Sequence, residues 1–343
     1  RAGGGWCRPP RAPAPVAAAA AAGADGFYRG PVAESMASCV RDNGGLLTTA
    51  DLAAYEPLWQ APLEAGFEGC QVCTMPPNSW AAALLLQLMA MQREGVAAPG
   101  DEAGFVLQGL RTRSLAYGLL EGCIADPDLA GGKAAAALEA FRASPLAKGA
   151  GAAGRERNHG IDTSNVLVVD DAGNAVSLLQ SIFIPFGSGV LDAGTGVLFN
   201  NRMRGFSTDA GDPNCVAPKK RPAQTLTPVL VMKDRQAWMA CSTPGGPGQT
   251  GTMAQFIARV VARGESIQDA IAAPRWSKTL TGDFILEDSA DARLREAVLR
   301  EEPAVKVAPW GSVNFGSVVA IMRDGDGWLG CADTRRNAAV HGW

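Results

Sequence analysis

Hydrophobic and polar positions along the chain predict a helical first part and a strand-rich second part. Before residue 144 the apolar spacing predicts one strand and four helices, at 68–75 and at 33–45, 81–95, 101–125 and 134–142, with a short capped helix after Thr48. After residue 164, β-branched runs predict strands at 165–169, 175–184, 196–199, 228–233, 237–242, 317–322 and 328–332 and helices at 255–263 and 266–272. Strands with flanking helices are typical of a layered α+β fold.

Two low-complexity segments divide this pattern. Residues 1–24 are rich in Arg, Pro, Gly and Ala and are expected to be disordered, with order beginning near Asp25. Residues 144–160 contain mainly Gly, Ala, Lys, Arg and Asn, which predicts a flexible linker. The linker contains GxGxxG, but no strand precedes it and no amphipathic helix follows it. A dinucleotide site is therefore not predicted.

Composition excludes several classes of partner. The chain is 47% hydrophobic and 19% charged with a net charge of −3, so it has no broad attraction for nucleic acid or for an anionic membrane surface. The basic run Lys219-Lys220-Arg221 is expected to be solvated or locally paired. No run approaches the ~20 apolar residues of a membrane span. Of the eight cysteines, only Cys70 and Cys73 have a suggestive spacing, and without a second pair no metal site or cofactor is predicted.

The sequence lacks the motifs of the commonest hydrolases. It has two histidines, His159 and His341, and it contains neither GxSxG nor HExxH. Hydrolysis without histidine or metal can use a Thr, Ser or Cys at a new chain terminus, whose own α-amine acts as the base. Thr163 begins a predicted strand directly behind the linker, where cleavage between Asp162 and Thr163 would expose it.

A glycine pair supplies candidate oxyanion donors. In STPGGPGQTG, Gly245 and Gly246 lack a Cβ, so their N–H groups can approach a substrate closely. Taken singly, a threonine at a strand start and a PGG turn are usually ordinary structural features. The residues alone leave that alternative open.

Many ordered motifs from about Gly26 onward resemble the γ-glutamyltransferase (γ-glutamyltranspeptidase) family. They include NGGLLTTADLAAYEP, DTSNVLVVDDAGNAVS, KKRPAQTLTP, STPGG and GCADTRRNAAVHGW. The resemblance implies a four-layer αββα N-terminal-nucleophile fold, here N-terminally truncated. It also implies a precursor cut into two associated fragments: residues 25–162 as the C-terminal part of the large subunit, and 163–343 as the small catalytic subunit.

The resemblance also implies roles for individual residues. Thr163 matches the nucleophile, and Gly245 with Gly246 matches the oxyanion pair. Ser181 falls where the family has a threonine that contacts the nucleophile. Gln224 and Thr225 fall on the serine pair that holds the substrate carboxylate.

Three positions depart from the family pattern. Gly205 replaces the acidic residue that binds the glutamyl α-amine, Arg202 replaces a neighbouring glutamine, and Phe183 replaces an asparagine. A cation in place of an anion disfavours a substrate ammonium, and Arg202 or Arg204 better suits a carboxylate, although either could also be a surface charge. The family's first part, with its carboxylate-binding arginine, has no counterpart here.

These features leave three functions open. The overall resemblance implies γ-glutamyl amide cleavage, as with glutathione, and transfer of the acyl group to water or an amine. The altered pocket favours an acylase or amidohydrolase that resembles cephalosporin acylases and oxamate amidohydrolase. The third alternative is an inactive, truncated family member.

Overall fold

The fold is that of a computed structural model, which describes residues 13–143, 162–279 and 281–342. The chain forms two compact units. The larger contains residues 61–183 and 202–343, and the smaller contains the chain up to residue 60 together with 184–201. The predicted linker 144–160, with its GxGxxG run and His159, lies outside the described residues.

The smaller unit is mainly helical. Pro13–Ala22, within the segment expected to be disordered, forms a helix, because alanine has the highest helix propensity; the expectation of disorder is wrong for these residues. Thr48 and Asp51 form the capping box of a short helix, which confirms the predicted cap. The elements are α1 Pro13–Ala22, α2 Asp25–Tyr28, α3 Gly30–Asp42, α4 Thr49–Ala53, β5 Leu191–Asp192 and β6 Val197–Leu198.

A six-stranded antiparallel sheet forms the centre of the larger unit, in the order β1-β2-β7-β8-β12-β13. Its side chains alternate, as in β2, where Cys70, Val72 and Thr74 are buried and Gln71 is exposed. The strands are β1 Leu63–Phe67, β2 Cys70–Thr74, β7 Val229–Lys233, β8 Gln236–Ser242, β12 Val319–Asp324 and β13 Gly327–Ala332.

Helices cover one face of this sheet. Met239 and Cys241 of β8 belong to the same buried cluster as the apolar side chains of these helices. The helices of the larger unit are α5 Ala82–Glu94, α6 Glu102–Leu119, α7 Pro127–Ala130, α8 Lys133–Ala143, α9 Gln249–Ile257, α10 Ile267–Ala272 and α11 Ala292–Glu301, with a π-helical turn at Ala258–Ala262.

The predicted hairpin, β3 Asp162–Val169 and β4 Ala175–Phe183, lies against the other face. Ser242 points away from the helices because it alternates with Cys241, and its hydroxyl accepts a hydrogen bond of 3.1 Å from Asn165 Nδ2. Ser177 Oγ donates to the Cys241 carbonyl at 3.1 Å. Helices, sheet and hairpin are three consecutive layers, which confirms the α+β prediction. On its outer face the hairpin exposes Val166, Val168, Val176 and Leu178.

Buried ion pairs hold the C-terminal segment against a second, smaller sheet of the larger unit. Arg335 binds Glu287 through two hydrogen bonds of 2.6 Å, and Arg275 pairs with Asp333 at 2.7 Å. These side chains link the C-terminal segment to the three-stranded sheet of β9 Trp276–Lys278, β10 Phe284–Glu287 and β11 Lys306–Ala308.

The two sides of the predicted cleavage point belong to one packed unit. Strand β2 pairs with β7, and Glu102 at the start of α6 binds Arg259 and Arg263 beyond α9. A cut after Asp162 would therefore leave six strands of one sheet in contact.

A buried aspartate joins the same two sides. Asp126, at the N-cap of α7, accepts hydrogen bonds from the backbone and guanidinium of Arg221, which confirms that this part of the basic run is locally paired. Burial by itself raises the pKa of Asp126, but the hydrogen bonds from Arg221 outweigh it and hold the pKa below its usual value.

Removing this carboxylate is expected to destabilise the protein in a pH-dependent way. Asp126→Asn should lower the free energy of unfolding by about 1–3 kcal/mol at pH 7. Because the pKa is lowered on folding, this contribution is present above the unfolded pKa of about 3.9 and is lost as the pH falls through the folded value. Urea unfolding at pH 7 and pH 3 measures both effects. Asp128→Asn, at an exposed partner of Arg221, is the matched control and should change little. A difference between wild type and Asp126→Asn that does not vary with pH would contradict the assignment.

Candidate active site

Thr163 lies at an irregularity of the hairpin. Asp162 pairs with Phe183 and Ser164 pairs with Gln180, so that Thr163 alone faces two residues of β4, Ser181 and Ile182. Thr163 is 9% exposed and alternates with the exposed Ser164. Its side chain therefore lies on the inner face of the hairpin, on the same side as Asn165 and across from Ser181.

Ser181, Phe183 and Arg202 form one contact group beside Thr163. Ser181 Oγ accepts a hydrogen bond of 3.0 Å from the Phe183 N–H, and Phe183 has a φ of 87°, in the left-handed region that non-glycine residues rarely adopt. The Arg202 guanidinium lies 5.0 Å from the Phe183 ring centre and donates to the Ser181 carbonyl at 3.4 Å. Burial lowers the pKa of Arg202 to about 10, so this side chain remains a cation at neutral pH. By contrast, Arg204 is exposed.

The glycine pair forms a buried turn between β8 and α9. Gly245 and Gly246 have φ values of 130° and 55°. A Cβ on Gly245 would lie 3.3 Å from the Gly316 Cα, so this turn requires glycine both for its backbone conformation and for its close packing. The turn opens the helical segment that continues through Pro247 into α9, so its N–H groups lie at a helix N-terminus.

Gln224 and Thr225 lie in a buried loop before β7. Gln224 pairs with Ser79 in an isolated bridge, and its side-chain oxygen accepts a hydrogen bond from the Leu226 N–H at 2.6 Å. The NH₂ of this side chain is the group that can donate to a ligand. Thr227, two residues beyond Thr225, donates its N–H to Gln249 Oε1 at 3.1 Å, which ties the loop to the first residue of α9.

Specific contacts bring these segments together. The Asn165–Ser242 hydrogen bond joins the start of β3 to the end of β8, three residues before the glycine pair. Asn214 donates to the Gly205 carbonyl at 2.6 Å and accepts from the Ala223 N–H at 3.0 Å, so the segments after Arg202 and before Gln224 are joined as well. All the predicted site residues belong to the larger unit.

The described residues offer no arrangement of three or more His, Cys, Asp and Glu side chains suited to a metal ion. Nor does any helix in the described ranges have the length and apolar character needed to cross a bilayer.

Sequence and structure comparisons identify the family. The sequence profile of Gamma-glutamyltranspeptidase matches residues 4–343. The chain belongs to this family. It is 32% identical over 338 residues to the oxamate amidohydrolase proenzyme of Klebsiella pneumoniae, covering 94% of this chain and 62% of the relative. It is 30% identical over 331 residues to the glutathione hydrolase-like YwrD proenzyme of Bacillus subtilis, covering 93% of this chain and 63% of that protein.

Solved structures agree with the sequence relatives. Cephalosporin acylase from Bacillus halodurans superposes with a TM-score of 0.81 at 25% identity, covering 96% of this chain and 61% of the acylase. The N-terminal-nucleophile fold implied by the sequence motifs is therefore confirmed. The chain spans about three fifths of the length of these relatives, so the four-layer fold is represented in part.

Sequence reasoning missed Asn214, Arg113 and Tyr117, and it did not predict the backbone conformation of Phe183. Asn214 lies in an irregular loop with no motif, and nothing in the sequence indicates the left-handed backbone of Phe183. Arg113 and Tyr117 of α6, which contact the Pro247 carbonyl behind the glycine turn, are four residues apart. That spacing places them on one face of a predicted helix and is the one signal that was available.

Proposed function

We propose that this chain carries the catalytic part of an amide hydrolase, with Thr163 as its N-terminal nucleophile and residues 163–343 as its small subunit. The observation that supports this best is the junction of β3 with β8. There a buried threonine at the start of one strand and a glycine turn at the end of the other are joined through Asn165 and Ser242.

Cleavage would come first. Thr163 Oγ attacks the carbonyl carbon of Asp162, and the C–N bond breaks as the proton moves to nitrogen, giving an ester and a free α-amine. Water then hydrolyses the ester, which leaves the Asp162 carboxyl group and Thr163 as a new N-terminus. Ser181 lies across the hairpin from Thr163 and is proposed to orient its hydroxyl.

In turnover, the α-amine of Thr163 takes the proton from Oγ as this oxygen attacks an amide carbonyl. The N–H groups of Gly245 and Gly246 stabilise the oxyanion, at about 3 kcal/mol for each donor. The amine leaves with a proton, and water or an acceptor amine releases the acyl group from Thr163. Gln224 and Thr225 are proposed to contact the acyl chain.

For the acyl group, the family resemblance points to γ-glutamyl amides such as glutathione. The pocket residues favour an acyl group without an α-amine. A Cβ at Gly205 would lie 2.7 Å from the Ala223 carbonyl oxygen, so the position of the family's acidic residue has no room for a side chain here. The Arg202 guanidinium lies over the Phe183 ring, and its positive charge suits a carboxylate on the substrate.

We therefore expect glutaryl-p-nitroanilide to be hydrolysed with a higher kcat/KM than γ-glutamyl-p-nitroanilide. Arg202→Gln should lower kcat/KM for the glutaryl compound by about 10–100-fold, because it removes a charged hydrogen-bond donor. Butyryl-p-nitroanilide, which lacks the carboxylate, is the matched control and should respond little to this substitution. A preference for the γ-glutamyl compound would instead support α-amine recognition and γ-glutamyl transfer.

A further inference from the structure

Arg113 places a guanidinium directly behind the glycine turn. It lies on α6 with 1% of its surface exposed, and its Nη2 donates a hydrogen bond of 2.9 Å to the Pro247 carbonyl. Pro247 follows Gly246 directly, so Arg113 binds a backbone carbonyl one residue beyond the proposed oxyanion donors.

Aromatic side chains fix the position of this guanidinium. It lies 4.2 Å from the ring centre of Tyr117, whose ring stacks on Trp80 at 4.9 Å. The Tyr117 hydroxyl lies 3.4 Å from the Pro247 carbonyl oxygen and shares a 3.0 Å hydrogen bond with Thr250 Oγ1. The backbone N–H of Trp80 donates to the Gln224 carbonyl at 2.8 Å. This group, Trp80, Tyr117 and Arg113, connects the loop of Gln224 to the glycine turn.

The turn needs such external support because its own residues restrain it weakly. Glycine has more accessible backbone conformations than any other residue, and two follow one another here. On the other side, Gly316 packs against Gly245, and Thr243 Oγ1 accepts from the Ser317 N–H at 2.9 Å. Residues 243–248 are therefore contacted on one side by Arg113 and Tyr117 of α6 and on the other by residues 316–317.

The chemistry of the α6 contact differs from simple packing. A methionine would fill similar space beside Tyr117, but it would supply neither the donor to Pro247 nor a positive charge near the site where an oxyanion develops. Fixed dipoles and charges stabilise a transition state without having to reorganise during the reaction. A side chain that fixes the donors should therefore affect kcat more than KM.

We infer that Arg113, supported by Tyr117, is a positioning residue that holds the Gly245–Gly246 turn in the conformation that receives the oxyanion. This inference rests on the proposed function of that turn. It assigns to the first part of the chain, before the predicted cleavage point, a role in the chemistry carried out on Thr163.

The test compares Arg113→Met, Arg113→Lys and Tyr117→Phe with wild type, using one p-nitroanilide substrate. The kcat is expressed per mole of fragment beginning at Thr163, so that differences in processing do not enter. Arg113→Met should lower kcat about tenfold with KM within about twofold, and Arg113→Lys should recover part of the loss because it restores a charged donor. Tyr117→Phe, which keeps the ring and removes the hydroxyl, should fall between wild type and Arg113→Met.

Arg263→Met is the matched control. Arg263 is also a buried arginine that lies over an aromatic ring, Phe105. It follows the C-terminal end of the helical segment that begins at the glycine turn, and it binds Glu102 rather than the turn. If Arg263→Met lowers kcat as much as Arg113→Met at an equal loss of stability, or if Arg113→Met keeps the wild-type kcat, the inference is wrong. A wild-type protein without amide hydrolysis would refute the proposed function itself, and this inference with it.

Discussion

Replacing Thr163 by alanine is expected to prevent chain cleavage and to abolish amide hydrolysis. The substitution removes the only atom that the account assigns to nucleophilic attack in both reactions. Loss of a nucleophile that works together with a base lowers kcat by on the order of 10⁶-fold in well-studied hydrolases, and here a loss of at least ~10³-fold is expected. Gel electrophoresis and release of p-nitroaniline measure the two effects separately.

Thr163→Ser is the matched variant, because it keeps the hydroxyl and removes only the methyl group. It should still be cut and should keep measurable activity, while Thr163→Ala stays whole. Urea unfolding of Thr163→Ala should show the cooperative transition of a folded protein, which excludes misfolding as the cause. Hydrolysis by Thr163→Ala at the wild-type rate would contradict the assignment of the nucleophile.

The second large effect is expected at the glycine turn. Gly245→Ala places a Cβ 3.3 Å from the Gly316 Cα and 3.4 Å from its nitrogen, on a residue whose φ of 130° disfavours any side chain. The turn must shift, and the N–H groups move from the place where the oxyanion forms. We expect kcat to fall by about 10²–10³-fold with a small change in KM, as for the loss of one oxyanion donor.

Gly264→Ala separates this effect from general backbone strain. Gly264 also has a positive φ, of 68°, but a Cβ there would meet no atom within 4 Å. Its substitution should lower stability by about 1–2 kcal/mol through the left-handed backbone alone and should leave kcat unchanged. Equal losses of kcat in both variants would mean that Gly245 matters only for stability.

Local patterns in the sequence were sufficient to predict much of the fold. The hairpin β3–β4 follows from period-2 alternation around a DDAG turn, and α5 from a long apolar run that ends at Gly95. Helix α9 begins at Gln249, six residues before its predicted start. Its first turn contains Gln249, Thr250 and Gly251, which are polar or small, and tertiary packing against Trp276 favours helix there.

Other elements had no local signal. Strands β9 to β11 are three or four residues long, and their pairing depends on residues distant in sequence. Strand β1 lies at a sheet edge and contains Gly66, which lowers its apparent strand propensity. Helix α11 is the exception, because its N-cap Asp291 and the four-residue spacing of Leu294 and Val298 were a helix signal that went unrecognised.

The candidate site, like the fold, could be predicted from the sequence only in part. The positions of Thr163, Ser181, Gly245 and Gly246 could be expected from motifs that follow a fixed order along the chain. The Arg202–Phe183 contact and the packing of Gly205 against Ala223 could not, because they join segments through side chains rather than through a continuous motif. The proposed preference for an acyl group without an α-amine depends on these contacts.

The most direct measurement is the identity of the N-terminal residues in freshly purified protein, by intact mass and N-terminal sequencing over time. We expect a fragment that begins Thr163-Ser164-Asn165 and that elutes together with the fragment preceding it, since β2 and β7 belong to one sheet. Amide hydrolysis should appear in proportion to that fragment. A chain that stays whole, or activity that appears while residue 163 is still joined to Asp162, would contradict this expectation.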